Sequence, residues 1–328
     1  MSNSNGMNTS HEHSYGSIHA AEHHSEPTSS HTFSPKSSGS QPEVYYVPSE
    51  SNWPIVGAFA LFLIAVGAGL FLQPAGILSH FGGFVLLAGI ATLLVMLVGW
   101  FRNVIQESIS GLYSNQINRS FKQGMSWFIF SEVMFFAAFF GALFYARMIA
   151  VPWLGGASNN AMTNEVLWPA FEAMWPLTLT PSGQETQAMP WQGLPLMNTI
   201  ILLTSSITLH FSHLSLEKNY RTALIVWLEI TIVLAIAFLY YQGQEYAHAY
   251  QEMNLTLQSG VYGNTFFLLT GFHGLHVTLG TIFLMVLLGR IAFDHFTPKD
   301  HFAFQAGSWY WHFVDVVWLC LFVFVYVL

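Results

Sequence analysis

One carboxylate set inside an apolar run is the first chemistry this chain offers. Glu132 lies within residues 125–150, MSWFIFSEVMFFAAFFGALFYARMIA, about two turns from the start of that run. On a helix its neighbours at i±3 and i±4 are Phe128, Ile129, Phe135 and Phe136, an apolar collar around the acid. Ionisation there is costly, so Glu132 is expected to be neutral at pH 7 and to need a protein partner. Its helix is therefore expected to face other helices and not lipid alone.

Other embedded polar groups offer sharper and duller readings. His273 and His276 are three apart and share a helical face. They suit a haem or metal, with His210, His213 or His312 on a facing helix, or they hydrogen-bond between helices brought close by Gly271, Gly274 and Gly280. The second is favoured. His312 and Asp315 repeat the i, i+3 spacing, either as a proton relay or as a mutually satisfied buried pair; again the structural reading is preferred. Glu245 and His248 match the Glu-x-x-His of di-iron bundles, but that site needs two such pairs plus two further glutamates, and only one pair is present. Glu229 is another embedded acid. Asn198, Thr199, Thr204, Ser205, Ser206, Thr208 and His210 form a polar seam, which interhelical hydrogen bonding explains without a transport path. No resident metal or catalytic nucleophile is expected.

The elements that carry these residues follow from composition. The chain is 53% hydrophobic and 8% charged, against about a quarter charged in soluble domains. It reads as an all-α integral membrane protein with apolar spans at about 55–72, 81–101, 125–150, 196–214, 222–241, 265–289 and 307–328. Residues 1–43 form a Ser- and His-rich extension holding six of the 15 histidines; it has too little apolar surface to fold alone. Residues 44–328 form the membrane domain. Tyr45, Tyr46 and Trp53 mark the interface. No basic segment followed by an apolar one opens the chain, so no cleaved signal is expected.

Charge gives the orientation. Lys36, Arg102, Arg119, Lys122, Lys218, Arg221, Arg290 and Lys299 fall on one side of a seven-span topology and Arg147 alone on the other. The N-terminus is therefore expected in the cytoplasm and the C-terminus outside. Nine Lys and Arg without a basic cluster argue against nucleic acid. The single Cys320 excludes internal disulfides, Cys-ligated iron–sulfur clusters and two-Cys copper sites. Trp100, Arg102, Glu107, Arg119 and Lys122, with Arg290 and His295, mix cations and aromatics at headgroup depth, suited either to lipid binding or to ordinary anchoring.

Several motifs resemble one family. Phe128-Ile129-Phe130-Ser131-Glu132-Val133-Met134-Phe135-Phe136 resembles the third-helix signature of cytochrome c oxidase subunit III. Thr270-Gly271-Phe272-His273-Gly274-Leu275-His276-Val277 and Trp309-Tyr310-Trp311-His312-Phe313-Val314-Asp315 are similar to its later helices, and Pro195-Leu196-Met197-Asn198-Thr199 to its fourth-helix entry. The resemblance runs from about Tyr45 to Leu328, leaving the His-rich tail outside.

It implies two arms of a V, helices 1–2 and helices 3–7, with phospholipids in the cleft. It implies an accessory subunit of a proton-pumping aa3-type oxidase in a bacterial inner membrane, beside subunits I and II. Those partners would hold haem a and copper, and this chain no redox centre. It also implies that this chain keeps the catalytic subunit active, supports proton uptake and possesses a lipid cleft that serves oxygen. Glu132 matches the family's embedded glutamate. Trp100, Arg102 and Glu107 match a first lipid region and Arg290 and His295 a second. Gln305 stands where a glutamate is usual, Phe211-Ser212-His213-Leu214 where Trp-Ala-His-His is common, and Phe101 and Gln106 where a tryptophan and an arginine are common. Relatives in quinol oxidases or nitric oxide reductases typically lack the first two helices, so the spans at 55–72 and 81–101 favour the cytochrome c enzyme. A free-standing b-type cytochrome or a transporter would be the rivals from other classes.

Overall fold

The computed structural model describes residues 46–47, 50–74, 76–180, 183, 185–298 and 300–328. The His-rich extension, Tyr45, Lys36 and Lys299 lie outside these. Seven helices are long and apolar enough to cross a membrane: α1 (Trp53–Phe71), α2 (Ile77–Ile109), α3 (Asn115–Leu154), α4 (Leu194–Glu217), α5 (Arg221–Gln251), α6 (Gly260–Ala292) and α7 (Phe302–Val327). The protein is a multi-pass membrane protein. Among the described residues the only β pairing is an isolated bridge, Leu179 to Glu185.

Helices follow from the solvent. Hydrocarbon cannot bond a bare N–H or C=O, so each crossing segment must satisfy its backbone internally. Several helices outrun the apolar windows that mark them. α2 continues to Ile109, placing Arg102 and Glu107 on the helix, and α3 begins at Asn115, where the Ser114 side chain accepts from the Ile117 N–H. An apolar window records hydrocarbon thickness; the helix runs on into the headgroup layer, where polar side chains are solvated. Pro54 and Pro195 sit in first turns, where a missing N–H costs nothing. Pro152 is interior to α3, and the helix widens to a π-turn over Ala146–Ala150 immediately before it.

Helix pairing falls into two sets. α1 packs along α2. In the other set α3 packs on α6 and α7, α4 on α5 and α7, α5 on α6, and α6 on α7. The α1–α2 pair is held by backbone approach: a Cβ on Gly82 would lie 2.4 Å from the Phe71 nitrogen, and one on Gly67 2.4 Å from that of Leu86. Little else is buried there besides Gly57, Ala60, Gly89 and Met96. The five-helix set has an interior of large side chains, with Trp311, Trp318, Phe238, Phe266 and Phe304 fully buried. Trp318 meets Phe238 edge-on at 4.8 Å, a contact worth about 0.5–1.5 kcal/mol beyond area.

The connection between α3 and α4 is an ordered cap. It holds a short helix, Ala161–Leu167, and buries Phe171, Leu177 and Met189. The Met189 N–H donates to the Tyr262 hydroxyl at 3.1 Å and the Thr186 hydroxyl to the Met253 carbonyl at 3.2 Å, fastening it to α6 and to the turn after α5.

Candidate functional site

Glu132 meets His276. The pair joins α3 to α6, with His276 Nε2 2.9 Å from a Glu132 carboxyl oxygen. The other ring nitrogen, Nδ1, lies 2.6 Å from the Phe272 carbonyl one turn back. A carbonyl only accepts, so Nδ1 carries a proton and donates it. One further proton is then shared between Nε2 and the carboxyl. Whichever atom holds it, the pair is neutral overall or an internally compensated ion pair, and no net charge faces the hydrocarbon.

Aromatic rings enclose this pair. Phe136 approaches the imidazole edge-on at 5.0 Å, Phe135 lies at 5.9 Å and Tyr310 stacks at 6.4 Å, from α3 and α7. Side-chain exposure is 10% for His276 and 21% for Glu132, so the carboxyl sits at the rim of the bundle. Part of the collar read from the sequence points outward: Phe128 is 46% exposed.

His273, one turn earlier on α6, is engaged differently. Its Nε2 donates to the Val314 carbonyl of α7 at 3.1 Å, and its ring packs against Trp318 at 5.0 Å and Phe238 at 5.7 Å. The glycine account of this helix needs correcting. A Cβ on Gly274 would meet nothing within 4 Å, one on Gly271 only the Tyr246 hydroxyl of α5 at 3.6 Å, and one on Gly280 would press on Trp311 at 3.0 Å. Gly280 alone of the three allows a close approach; Gly271 makes an ordinary contact with α5 and Gly274 faces open space.

His312 turns to a neighbouring helix. Ser206 of α4 lies 2.7 Å from His312 Nδ1, while Asp315 Oδ1 is buried without a hydrogen-bond partner among the described residues. The expected mutual pair along one helix is thus replaced, for His312, by a bond between helices. Three more residues of the seam bond to neighbouring helices, while Thr204 bonds its own helix and the Asn198 amide has no partner among the described residues. Trp311 Nε1 donates to Ser205 at 3.0 Å, Trp318 Nε1 to Thr199 at 3.0 Å, and Thr208 meets Thr231 of α5 at 2.8 Å. The two indoles are i, i+7 on α7, a spacing that puts both on one face. That spacing was available in the sequence and was missed.

Glu245 and His248 do not act together. Glu245 is fully buried and accepts from the Tyr326 hydroxyl at 2.6 Å, whereas His248 pairs with Glu252 at 3.0 Å. Glu229 points outward on α5, beside exposed Val226 and Val233.

The headgroup-level residues form a third group. Tyr113, between α2 and α3, donates to Glu107 at 2.9 Å. Burial pushes its phenol well above the usual tyrosine value, and the Glu107 carboxylate adds to this. Its ring meets Tyr46 and Phe121, and Phe121 stacks on Phe302 of α7. The Arg290 guanidinium lies over Phe296, 4.4 Å from the ring centroid. Arg290 Nε and His295 Nδ1 are both buried without a hydrogen-bond partner among the described residues. Trp100 and Arg102 are exposed on α2. Arg221 ties α5 to the end of α6 through Asp294 and the Ile291 and Ala292 carbonyls.

These arrangements have counterparts in known proteins. A family model for cytochrome c oxidase subunit III matches residues 43–328. Cytochrome c oxidase subunit 3 of Latimeria chalumnae is 39% identical over 288 residues, covering 87% of this chain and 97% of that relative. That of Pongo abelii is 39% identical over 290 residues, with the same coverage of 87% and 97%. That of the alga Prototheca wickerhamii is 38% identical over 284 residues, covering 86% and 96%. With its seven membrane-length helices and a match across nearly the whole membrane domain, this chain belongs to the cytochrome c oxidase subunit III family.

Proposed function

We propose that this chain is a non-redox accessory subunit of an aa3-type, proton-pumping oxidase in a bacterial inner membrane, with its N-terminus in the cytoplasm. It docks chiefly on subunit I, in a complex with subunit II, and those subunits carry haem a and copper. The observation that carries the reading is how the embedded histidines are spent. His276 uses both nitrogens on Phe272 and Glu132, and His273 gives its Nε2 to the Val314 backbone between two aromatic rings. These are the bonds of residues that hold helices together. Glu229, an acid exposed on the side of α5, supports a protein neighbour on that face, since a carboxyl facing hydrocarbon is costly.

A phospholipid headgroup fits the inner end of α6. The unpartnered Arg290 Nε and His295 Nδ1 are buried donors of the kind a phosphate would satisfy, and Glu107 is already occupied by Tyr113. In this reading α1–α2 and α3–α7 are two arms around a lipid-filled cleft, and the subunit maintains turnover and proton uptake by its neighbour.

A mild-detergent purification of the tagged chain tests the assignment. A haem-copper oxidase is expected to come with it; isolation of the chain alone, with its own Soret band, would overturn it. Native mass spectrometry tests the lipid: Arg290→Ala with His295→Ala should release a bound phospholipid, and an unchanged lipid complement would refute that part.

A further inference from the structure

A second cluster of histidines lies where α4 ends and α7 begins, apart from the Glu132–His276 site. His213 and Glu217 are one turn apart on the last turns of α4, so they share a face. His301 directly precedes Phe302, the first residue of α7. One ligand atom from each of His213, Glu217 and His301 lies within 4.8 Å of the other two. His301, far along the chain from the other two, is brought to them by the packing of α4 on α7.

Two details point to an ion and not just to a surface pair. His213 Nε2 is buried with no hydrogen-bond partner among the described residues, and Glu217 Oε1 stands 3.9 Å from it, too far for a hydrogen bond. His301 Nδ1 lies 3.3 Å from the Thr297 carbonyl, so it carries the proton and donates it. That fixes the tautomer in which His301 Nε2 keeps its lone pair, the usual preparation of a metal-binding imidazole by a carbonyl behind it. The His213 ring is set by Phe304, fully buried and 5.6 Å away, and meets the His301 ring edge-on at 5.6 Å.

We propose that His213, Glu217 and His301 form a divalent-cation site of the zinc class, clamping the end of α4 to the start of α7. Two imidazoles and one carboxylate suit zinc in preference to magnesium or calcium, which take oxygen ligands. Three protein ligands leave a fourth position for water. Bonds of about 2.0 Å to a tetrahedral ion bring ligand atoms to about 3.3 Å from each other. Glu217, with a side chain 52% exposed, is free to swing in and close that gap.

The six histidines of residues 1–43 are further candidate zinc ligands, so total zinc uptake does not decide the matter. The purified oxidase complex with the full-length chain is titrated with Zn2+ against a chromophoric chelator. Glu217→Ala and His301→Gln are each expected to lose one zinc equivalent, or to weaken it at least tenfold, leaving the other equivalents unchanged. Zinc should also raise the unfolding temperature of the parent complex and not that of either variant. If both variants match the parent in number, affinity and thermal response, the proposal is overturned. Should His301→Gln fail to assemble, the Glu217→Ala result decides, because that exposed carboxyl is not needed for packing.

Discussion

Replacing Glu132 in two ways separates what its pair with His276 does from what its charge does. Because His276 Nδ1 is committed to Phe272, only Nε2 needs a partner from α3. Glu132→Gln supplies an amide N–H to that lone pair, exchanging one hydrogen bond for another. The expected loss is about 1 kcal/mol, the typical net value of a neutral hydrogen bond. Glu132→Ala leaves Nε2 without a partner at a position only 10% exposed, which costs about 1–3 kcal/mol with the cavity added. The carboxyl's own 21% exposure keeps the loss to about 2 kcal/mol. That is about 1 kcal/mol beyond the glutamine variant, so at roughly 2–4 °C per kcal/mol the alanine variant should unfold about 2–4 °C below it. The assay is thermal unfolding of the purified complex, with proton-pumping stoichiometry measured in vesicles. Pumping should survive in Glu132→Gln. The reasoning fails if the two variants are equally destabilised, or if Glu132→Gln assembles normally and no longer supports pumping.

Three further outcomes are expected. Ser206→Ala should leave His312 Nδ1 without its partner from α4 and cost about 1–3 kcal/mol in thermal unfolding of the complex; an unchanged unfolding temperature would show that this bond does not join α4 to α7. Gly82→Ala should push α1 off α2, since its Cβ would lie 2.4 Å from backbone, whereas Gly83→Ala, 3.5 Å from a Phe71 ring carbon, should be tolerated; cysteine cross-linking between the helices reads the difference. Tyr113 stays protonated in the fold above the ordinary tyrosine value of about 10, so the stability it contributes is fully present below that pH and is lost as pH climbs through its raised value. Tyr113→Phe should remove one tyrosine that ionises above the ordinary range from an alkaline absorbance titration of the folded complex, and an unchanged curve would count against it.

The sequence made the span count and the embedded acid legible, because both depend on local apolar runs. It also identified Glu132 as needing a partner but not which one. His276 was considered as a haem ligand or a packing residue, and its approach to α3 depends on how α3 crosses α6, which no local pattern encodes. The same holds for Ser206, whose bond to His312 crosses from α4 to α7. Gly271 and Gly274 misled because a motif rich in glycine does not say which glycines allow a close approach. The capping loop was invisible for a related reason: its order comes from bonds to Met253 and Tyr262, residues far along the chain.

The glycine-lined seam of α1 and α2 bears on biogenesis. Those two helices pack on each other through residues already present once both are made, with no side chain from a later helix needed to fill the seam between them. A hairpin that settles early, with its bulky side chains already turned outward, can wait in the bilayer as a finished piece while the longer bundle assembles behind it.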